Sequence, residues 1–379
     1  MESVVYILKI QYHLFCTFII YGLACRAPGT SVTIHVGKRT LFTKSSNSRK
    51  IIFGSFIAIC IFEGIYSFIC GPYHVYLVDR KVFANRFAGE YYTKTGSIGL
   101  YYILSFLRSL TADPDIMFFV VAFIYMAATL LAYNTSKDAK PIALLYMCMS
   151  QYMLYGCYQL KQALATAFAG LAIVCYLENR KLGSLISAVL AISFHESAFV
   201  LGPLFVALFC SKSKLIRYGS YAALVLFVFF FSSFSRIGVN IFTSIIPSMT
   251  RQVSMYLDET GGLETGGSVL TTIKGFPVYY ITFMGFINRK RLRKQILNID
   301  KYLLLCVFAS IATLSTFFMP WMWRFSELVY LPVFIFAAMI HDILDIKKRR
   351  EFDLIICLSF AIFTYRKLFM CYFTYGGLV

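Results

Sequence analysis

Charged residues are scarce in this sequence. They make up 14% of its 379 residues, whereas hydrophobic residues make up 59% and the mean hydropathy is +0.70. Soluble globular domains carry about 25% charged residues, so water is not the main solvent of this chain. The composition predicts an integral membrane protein.

Common metal-binding and catalytic patterns are also absent from the sequence. The eleven cysteines lie mostly inside apolar runs, with no CxxC pair and no histidine spacing that would form a zinc site. No GxSxG, P-loop or EF-hand pattern occurs, and no second histidine follows His195-Glu196 at the spacing of a metalloprotease helix. We therefore predict neither a metal nor a cofactor.

Apolar runs are the most prominent feature that the sequence does have. A spanning helix needs about 20 mainly apolar residues. Ten runs fit that length, at 4 to 25, 51 to 70, 115 to 133, 141 to 158, 162 to 177, 218 to 235, 269 to 287, 302 to 319, 325 to 342 and 353 to 371. The first run contains Lys9 and has no basic region before it, so we expect a span there rather than a cleaved signal peptide.

One further run, 183 to 210, is long for one span and short for two. His195, Glu196, Gly202 and Pro203 interrupt it. We predict either two short helices or a re-entrant hairpin, which a membrane protein tolerates only where the break is buried in protein or lines a cavity. With this pair the chain has about 12 transmembrane helices and an all-α fold.

The net charge of +18 comes from basic residues in short tracts between the apolar runs. This pattern is typical of cytoplasmic loops and not of nucleic-acid binding. Placing the tract from Arg26 to Lys50 inside puts 23 of the 36 Lys and Arg residues in inner loops and nine in outer loops. The other inner loops are then those that hold Lys137 and Lys140, Arg180 and Lys181, Lys212 to Arg217, Arg289 to Lys301, and Lys347 to Arg350. Both termini are then outside, provided that 183 to 210 leaves and re-enters the inner side.

A single integral membrane domain over 1 to 379 follows from this topology. Two outer loops are long: 71 to 114, which includes an amphipathic stretch from Ile98 to Leu110, and 236 to 268, which is rich in glycine at its end.

Ionisable residues at membrane depth are candidates for function because their burial is costly. Lys161 and Arg324 each begin a predicted span from outside, and His195 and Glu196 lie at the outer turn of the broken segment. These positions fall on the same predicted face. A purely structural role for these residues stays open. His195 would then be a hydrogen-bonded residue at a helix end, and Lys161 and Arg324 would anchor their helices by snorkelling to the membrane surface. Trp321 and Trp323 would belong to the aromatic belt.

Three short motifs resemble the EpsG-like family of bacterial surface-polysaccharide polymerases, which is related to Wzy-type O-antigen polymerases. They are the stretch from Gln159 to Ala165, the turn Phe194-His195-Glu196-Ser197-Ala198, and Trp323-Arg324-Phe325. In that family the first motif usually reads Arg-Gln-x-x-Ala. Lys161 replaces the arginine here, which keeps the charge but not the bidentate fork.

The resemblance implies a membrane glycosyltransferase that joins oligosaccharide repeat units carried on undecaprenyl pyrophosphate, at the periplasmic face of the bacterial inner membrane. His195 and Glu196 are then the candidate catalytic residues, because transfer needs a base for the attacking hydroxyl. Cations would stabilise the leaving pyrophosphate. The candidate pyrophosphate ligands are Lys161, Arg324, Arg251, Arg80 and Arg86, and the candidate sugar-binding residues are Trp321, Trp323 and Tyr92.

The expected partners are the lipid-linked oligosaccharide, the lipid bilayer and, as a further candidate, a chain-length regulator. Three other functions stay open. A flippase or transporter of lipid-linked oligosaccharide would place its charges near the midplane. A membrane O-acyltransferase would use His195 as its base, and a structural role in an export complex would need none of these residues for chemistry.

Overall fold

The described part of the protein covers most of the second half of the chain and parts of the first. The computed structural model describes residues 32–36, 39–43, 83–87, 97–150, 159–211, 219, 273–317 and 322–375. The predicted spans at 4 to 25 and 51 to 70 and the predicted outer loop at 236 to 268 lie outside these residues, as does the span at 218 to 235 except for residue 219.

The described residues are mainly helical, which confirms the helical fold class. The α-helices are α1 (Ile98–Leu110), α2 (Pro114–Thr135), α3 (Pro141–Met149), α4 (Leu160–Leu177), α5 (Lys181–Phe194), α6 (Leu201–Cys210), α7 (Phe276–Ile287), α8 (Arg289–Gln295), α9 (Ile299–Leu314), α10 (Trp323–Glu327), α11 (Tyr330–Ile343) and α12 (Ile346–Tyr375). Two 3-10 helices cover Glu196–Val200 and Ser315–Phe317, and residues 83–87 form one helical turn.

A β-hairpin adds a strand pair that the sequence did not predict. Strands β1 (Val32–Val36) and β2 (Arg39–Thr43) are antiparallel, with Val36 opposite Arg39 and Val32 opposite Thr43. The strands are rich in β-branched residues, which favour extended backbone. The sequence analysis predicts only a basic inner loop for this tract, and the β-branched residues are the local signal of the hairpin.

Two of the described helices are long and apolar enough to cross a membrane, namely α2 and α4. The side chain of Asp113 caps α2 by accepting a hydrogen bond from the Asp115 N–H at 2.9 Å, and Pro114 occupies the first turn, as helix starts favour. Shorter apolar helices include α1, α5, α7 and α11. The count of twelve crossings and the outer position of both termini stay predictions.

Helix α4 is the centre of the packed core. It contacts α2, α5 and α11 and is buried along almost its whole length. Small residues allow this close packing, since helices approach tightly where Ala and Gly face a neighbour. At Gly170 an added Cβ would lie 3.1 Å from the Leu331 side chain of α11. A larger residue at Gly170 would therefore require the Leu331 side chain of α11 to shift.

The break predicted in the run from 183 to 210 is present at His195. Helix α5 ends at Phe194, His195 is extended with φ −155° and ψ 135°, and the chain resumes as a 3-10 helix over Glu196–Val200 and then α6. Helix α1 packs beside this break, with Gly99 of α1 lying against Ser193 and Phe194 of α5. The amphipathic stretch Ile98–Leu110 is thus a helix, with Leu100, Leu104 and Leu107 buried.

Polar side chains connect several predicted inner loops at one end of α4. Lys137 pairs with Glu178 at 3.7 Å, and the Asn298 amide donates to the Leu177 carbonyl at 3.0 Å. The Lys301 ammonium lies 4.8 Å from the centroid of the Tyr176 ring. These contacts hold the loops before α3, after α4 and before α9 together.

A second set of polar contacts lies between α3, α11 and α12. Asp353 accepts hydrogen bonds from the Tyr146 hydroxyl at 2.5 Å and pairs with His341 Nδ1 at 2.8 Å. Lys140 pairs with Asp342 at 3.2 Å.

The 18 residues of α4 separate its two ends by about 27 Å. Lys161 lies in the first turn of that helix, so it is at the end opposite the loop contacts of Glu178.

Candidate functional site

Gln162, at the start of α4, connects three segments that are distant in sequence. Its side chain is buried. The amide nitrogen donates to the backbone carbonyl of Arg324 at 2.9 Å, and the amide oxygen accepts from the Ser197 hydroxyl at 3.2 Å. One side chain therefore holds the 3-10 turn after His195 and helix α10 against the first turn of α4.

His195 is fixed by hydrogen bonds within its own turn. Its N–H donates to the Ala191 carbonyl at 3.1 Å, and its carbonyl accepts from the Ala198 N–H at 3.0 Å. The imidazole Nδ1 accepts from the Ser197 N–H at 3.0 Å. A nitrogen that accepts an N–H carries no proton, so this ring is neutral with its proton on Nε2.

Arg324 lies in the first turn of α10, which begins at Trp323. Its guanidinium carbon is 5.8 Å from the centroid of the Trp323 ring, and both residues are partly exposed. The Ser326 hydroxyl donates to the Trp323 carbonyl at 2.7 Å and stabilises the turn. The cation is therefore held beside an aromatic ring while its own carbonyl is bound by Gln162.

Lys161 precedes Gln162 in the first turn of α4, and the Gln162 side chain binds both the Arg324 carbonyl and Ser197, two residues after His195. Glu196 belongs to the 3-10 turn that contacts both α4 and α10. The Lys161 ammonium also lies 5.9 Å from the centroid of Phe83, a buried residue of the helical turn at 83–87. Two cations, a neutral histidine and a carboxylate thus share one end of α4.

The structure brings together five of the residues predicted from the sequence. They are Lys161, His195, Glu196, Trp323 and Arg324. Arg86 is exposed on the turn that carries Phe83. Arg80, Tyr92, Arg251 and Trp321 lie outside the described residues.

Two residues of this cluster were not selected from the sequence, although both lie inside the quoted motifs. Gln162 and Ser197 are uncharged, so the search for ionisable groups passed over them. Both are nevertheless buried, and a buried polar side chain in an apolar helix costs free energy unless it is hydrogen-bonded. A search for polar residues on the apolar face of α4 would have found Gln162.

The described residues contain no group of three or more His, Cys, Asp or Glu side chains that could hold a metal ion. The polar groups that do converge are suited to binding an anion and to moving one proton. Both cations can bind phosphate oxygens, and the carboxylate can accept a proton.

Comparison with known proteins assigns the chain to a family. A model described as the EpsG family matches residues 73–376, whereas no curated protein and no solved structure matches the chain. The matched range includes all three motifs, the whole cluster around Gln162 and every helix from α1 to α12. This helical membrane protein therefore belongs to the EpsG family, a family of glycosyltransferase-like polymerases of polysaccharide biosynthesis.

Proposed function

We propose that this protein is a multi-pass polymerase of the bacterial inner membrane. It joins oligosaccharide repeat units carried on undecaprenyl pyrophosphate into O-antigen or another surface polysaccharide, at the periplasmic face. Membership of the EpsG family supports polysaccharide polymerisation. The lipid-pyrophosphate donor is proposed from the chemistry of the cluster around Gln162.

The observation that carries the proposal is the pair of cations at one end of α4. Lys161 and Arg324 come from different helices, which the Gln162 side chain joins by binding the Arg324 carbonyl. Cleaving the bond between an anomeric carbon and pyrophosphate leaves a polyanion, and fixed cations stabilise the charge that develops. Trp323 provides an aromatic face beside Arg324 for a sugar ring.

Proton transfer is assigned to Glu196. In the transfer step the acceptor hydroxyl forms a new bond to the anomeric carbon, its proton passes to the Glu196 carboxylate, and undecaprenyl pyrophosphate leaves. His195 is less suited to this role because its unprotonated nitrogen already accepts the Ser197 N–H. Its Nε2–H is suited instead to donating a hydrogen bond to a phosphate or sugar oxygen.

The remaining candidate ligands keep their proposed roles at the outer face. Arg80, Arg86 and Arg251 would assist the pyrophosphate from the outer loops, and Trp321 and Tyr92 would stack on sugars. The apolar surface of the helices would hold the undecaprenyl chain in the bilayer, and a chain-length regulator would act on the same face.

One end of a helix is a poor location for a flippase site, because such a site must be reached from both faces and lies near the midplane. An O-acyltransferase would need His195 as a base, which conflicts with the hydrogen bond that its Nδ1 accepts. Both alternatives remain distinguishable by the product that accumulates.

The test is surface-polysaccharide banding in a deletion strain complemented with variants, with membrane insertion checked by immunoblot. Wild type should restore a ladder, whereas Arg324→Ala and Glu196→Gln should leave a single repeat unit. His195→Gln should keep a ladder, because the glutamine amide still provides an N–H donor. His195→Ala, which lacks it, should not.

Other outcomes would reject parts of this assignment. Loss of even the single repeat unit from the surface of the variants would indicate a transport step. Full ladders from both Arg324→Ala and His195→Ala would remove these residues from the site. A ladder from Glu196→Gln would show that the proton goes elsewhere.

A further inference from the structure

Helix α8 is a short basic helix directly after the apolar helix α7. Its sequence, Arg-Lys-Arg-Leu-Arg-Lys-Gln, has five cationic side chains in seven residues. Asp300 accepts from Arg289 Nη2 at 2.6 Å and from Arg293 Nη2 at 3.0 Å. Two of the five cations are therefore neutralised in part by one carboxylate, which also fixes α8 against the start of α9.

The other three cations face away from this ion pair. At about 100° per residue, Lys290, Arg291 and Lys294 occupy one continuous side of α8, opposite Leu292. Leu292 is fully buried, whereas all three cations are exposed. Their side chains make no ion pair or hydrogen bond with any of the described residues. A buried leucine thus orients a row of three exposed positive charges.

Acidic neighbours distinguish this surface from the other described basic tract. Residues 347 to 350 are all basic, but four acidic residues lie within five positions of them: Asp342, Asp345, Glu351 and Asp353. The net charge of that segment is zero. Within five positions of α8 the described sequence has one acidic residue, Asp300, against five cations, so the net charge of that segment is +4.

Exposed apolar side chains flank the basic helix on both sides. Ile287, at the end of α7, is 61% exposed, and Leu297, two residues beyond α8, is 96% exposed. Cations next to exposed apolar side chains are typical of a segment at the boundary between lipid headgroups and acyl chains. An acidic protein partner would match the charges but would not explain Leu297.

We propose that Lys290, Arg291 and Lys294 of α8 form a binding surface for the phosphate headgroups of anionic phospholipids, with Leu297 inserted among the acyl chains. This surface lies in the loop that the sequence predicts to be cytoplasmic, where anionic lipids attract basic segments. The proposal does not depend on the proposed polymerase activity, and its test does not measure that activity.

The test uses the full-length protein purified in detergent. Binding of dioleoyl phosphatidylglycerol and of dioleoyl phosphatidylcholine is measured by native mass spectrometry, for the wild type and for the triple variant Lys290→Gln, Arg291→Gln, Lys294→Gln. The matched control is Lys347→Gln, Lys348→Gln, Arg350→Gln, which removes the same charge from the other basic tract.

Wild type should prefer phosphatidylglycerol. The α8 triple variant should lose about a hundredfold in affinity, since each of the three basic residues near a lipid surface contributes about fivefold. The control should keep the preference. Leu297→Gln should also weaken the binding of phosphatidylglycerol.

Equal affinity of the wild type for both lipids would overturn the proposal, and this result does not depend on whether any variant folds. An equal loss in the control variant would show a general charge effect and not a site. Displacement of phosphatidylglycerol by millimolar inorganic phosphate would show that a free anion suffices, which also contradicts a lipid surface.

Discussion

Replacement of Gln162 by methionine tests the cluster most directly. Methionine has a similar volume and flexibility, so the packing of α4 is largely kept while the hydrogen bonds to Arg324 and Ser197 are removed. The Arg324 carbonyl and the Ser197 hydroxyl then lose the partners that they have at 2.9 Å and 3.2 Å. The variant therefore separates the polar contacts from the shape of the residue.

The expected loss of stability follows from these two bonds. Hydrogen bonds between membrane helices contribute about 0.6 kcal/mol each on average, which sets a lower value of about 1 kcal/mol for the pair. Leaving buried partners unsatisfied costs about 1–3 kcal/mol for each group in proteins generally. We expect a loss of about 1–3 kcal/mol in total, because the cluster lies at the end of α4, where lipid headgroups and water can replace part of the lost bonding.

Thermal unfolding of the purified protein in detergent measures this loss. Thr166→Val is the matched control, since it lies one turn further along α4 and its contact with Gln162 is 3.5 Å long. We expect Gln162→Met to unfold several degrees below the wild type and Thr166→Val to remain close to it. At equal protein levels, Gln162→Met should also shorten the polysaccharide ladder, because His195 and Arg324 are no longer held at a fixed separation.

A Gln162→Met protein that unfolds at the wild-type temperature would refute the role of Gln162 as a link between the three segments. An equal decrease in Thr166→Val would show that this part of α4 is sensitive to any substitution. A lower unfolding temperature with an unchanged ladder would limit the role of Gln162 to stability.

Three further predictions concern other contacts. Gly99→Val should lower the unfolding temperature and the amount of polymer, because an added side chain collides with α5 just before the histidine turn, whereas Gly202→Ala should have little effect since no atom lies within 4 Å of an added Cβ. Tyr146→Phe should destabilise the detergent-purified protein by about 1 kcal/mol through loss of one hydrogen bond to Asp353, and an unchanged unfolding temperature would contradict this. Lys161→Arg should keep most polymerisation and Lys161→Ala should abolish it, as measured by the ladder, because the charge rather than the ammonium shape is required; activity in both variants would exclude a role in binding pyrophosphate.

The helical class and the break at His195 could be predicted from the sequence because they depend on local properties. Apolar runs of a given length indicate helices in lipid, and polar residues within such a run indicate where it is interrupted. The amphipathic stretch Ile98–Leu110, which the sequence indicates from its local pattern of apolar and polar residues, forms a helix over the same residues. The hairpin at β1 and β2 was missed because its residues were considered only for charge.

Hydropathy and charge also predict that Lys161, His195 and Arg324 lie at the same face of the membrane, but only the tertiary structure decided how they are connected. Gln162 is 35 residues from Ser197 and 162 residues from Arg324 in sequence. Neither pairing has a local signal, because a hydrogen bond depends on where the two atoms lie after the helices have packed. The sequence by itself therefore determined which residues carry the charge. The packing of α4 against the 3-10 turn after His195 and against α10 determined that Gln162 joins these segments. The tertiary structure also showed that the Ser197 N–H donates a hydrogen bond to the unprotonated nitrogen of His195.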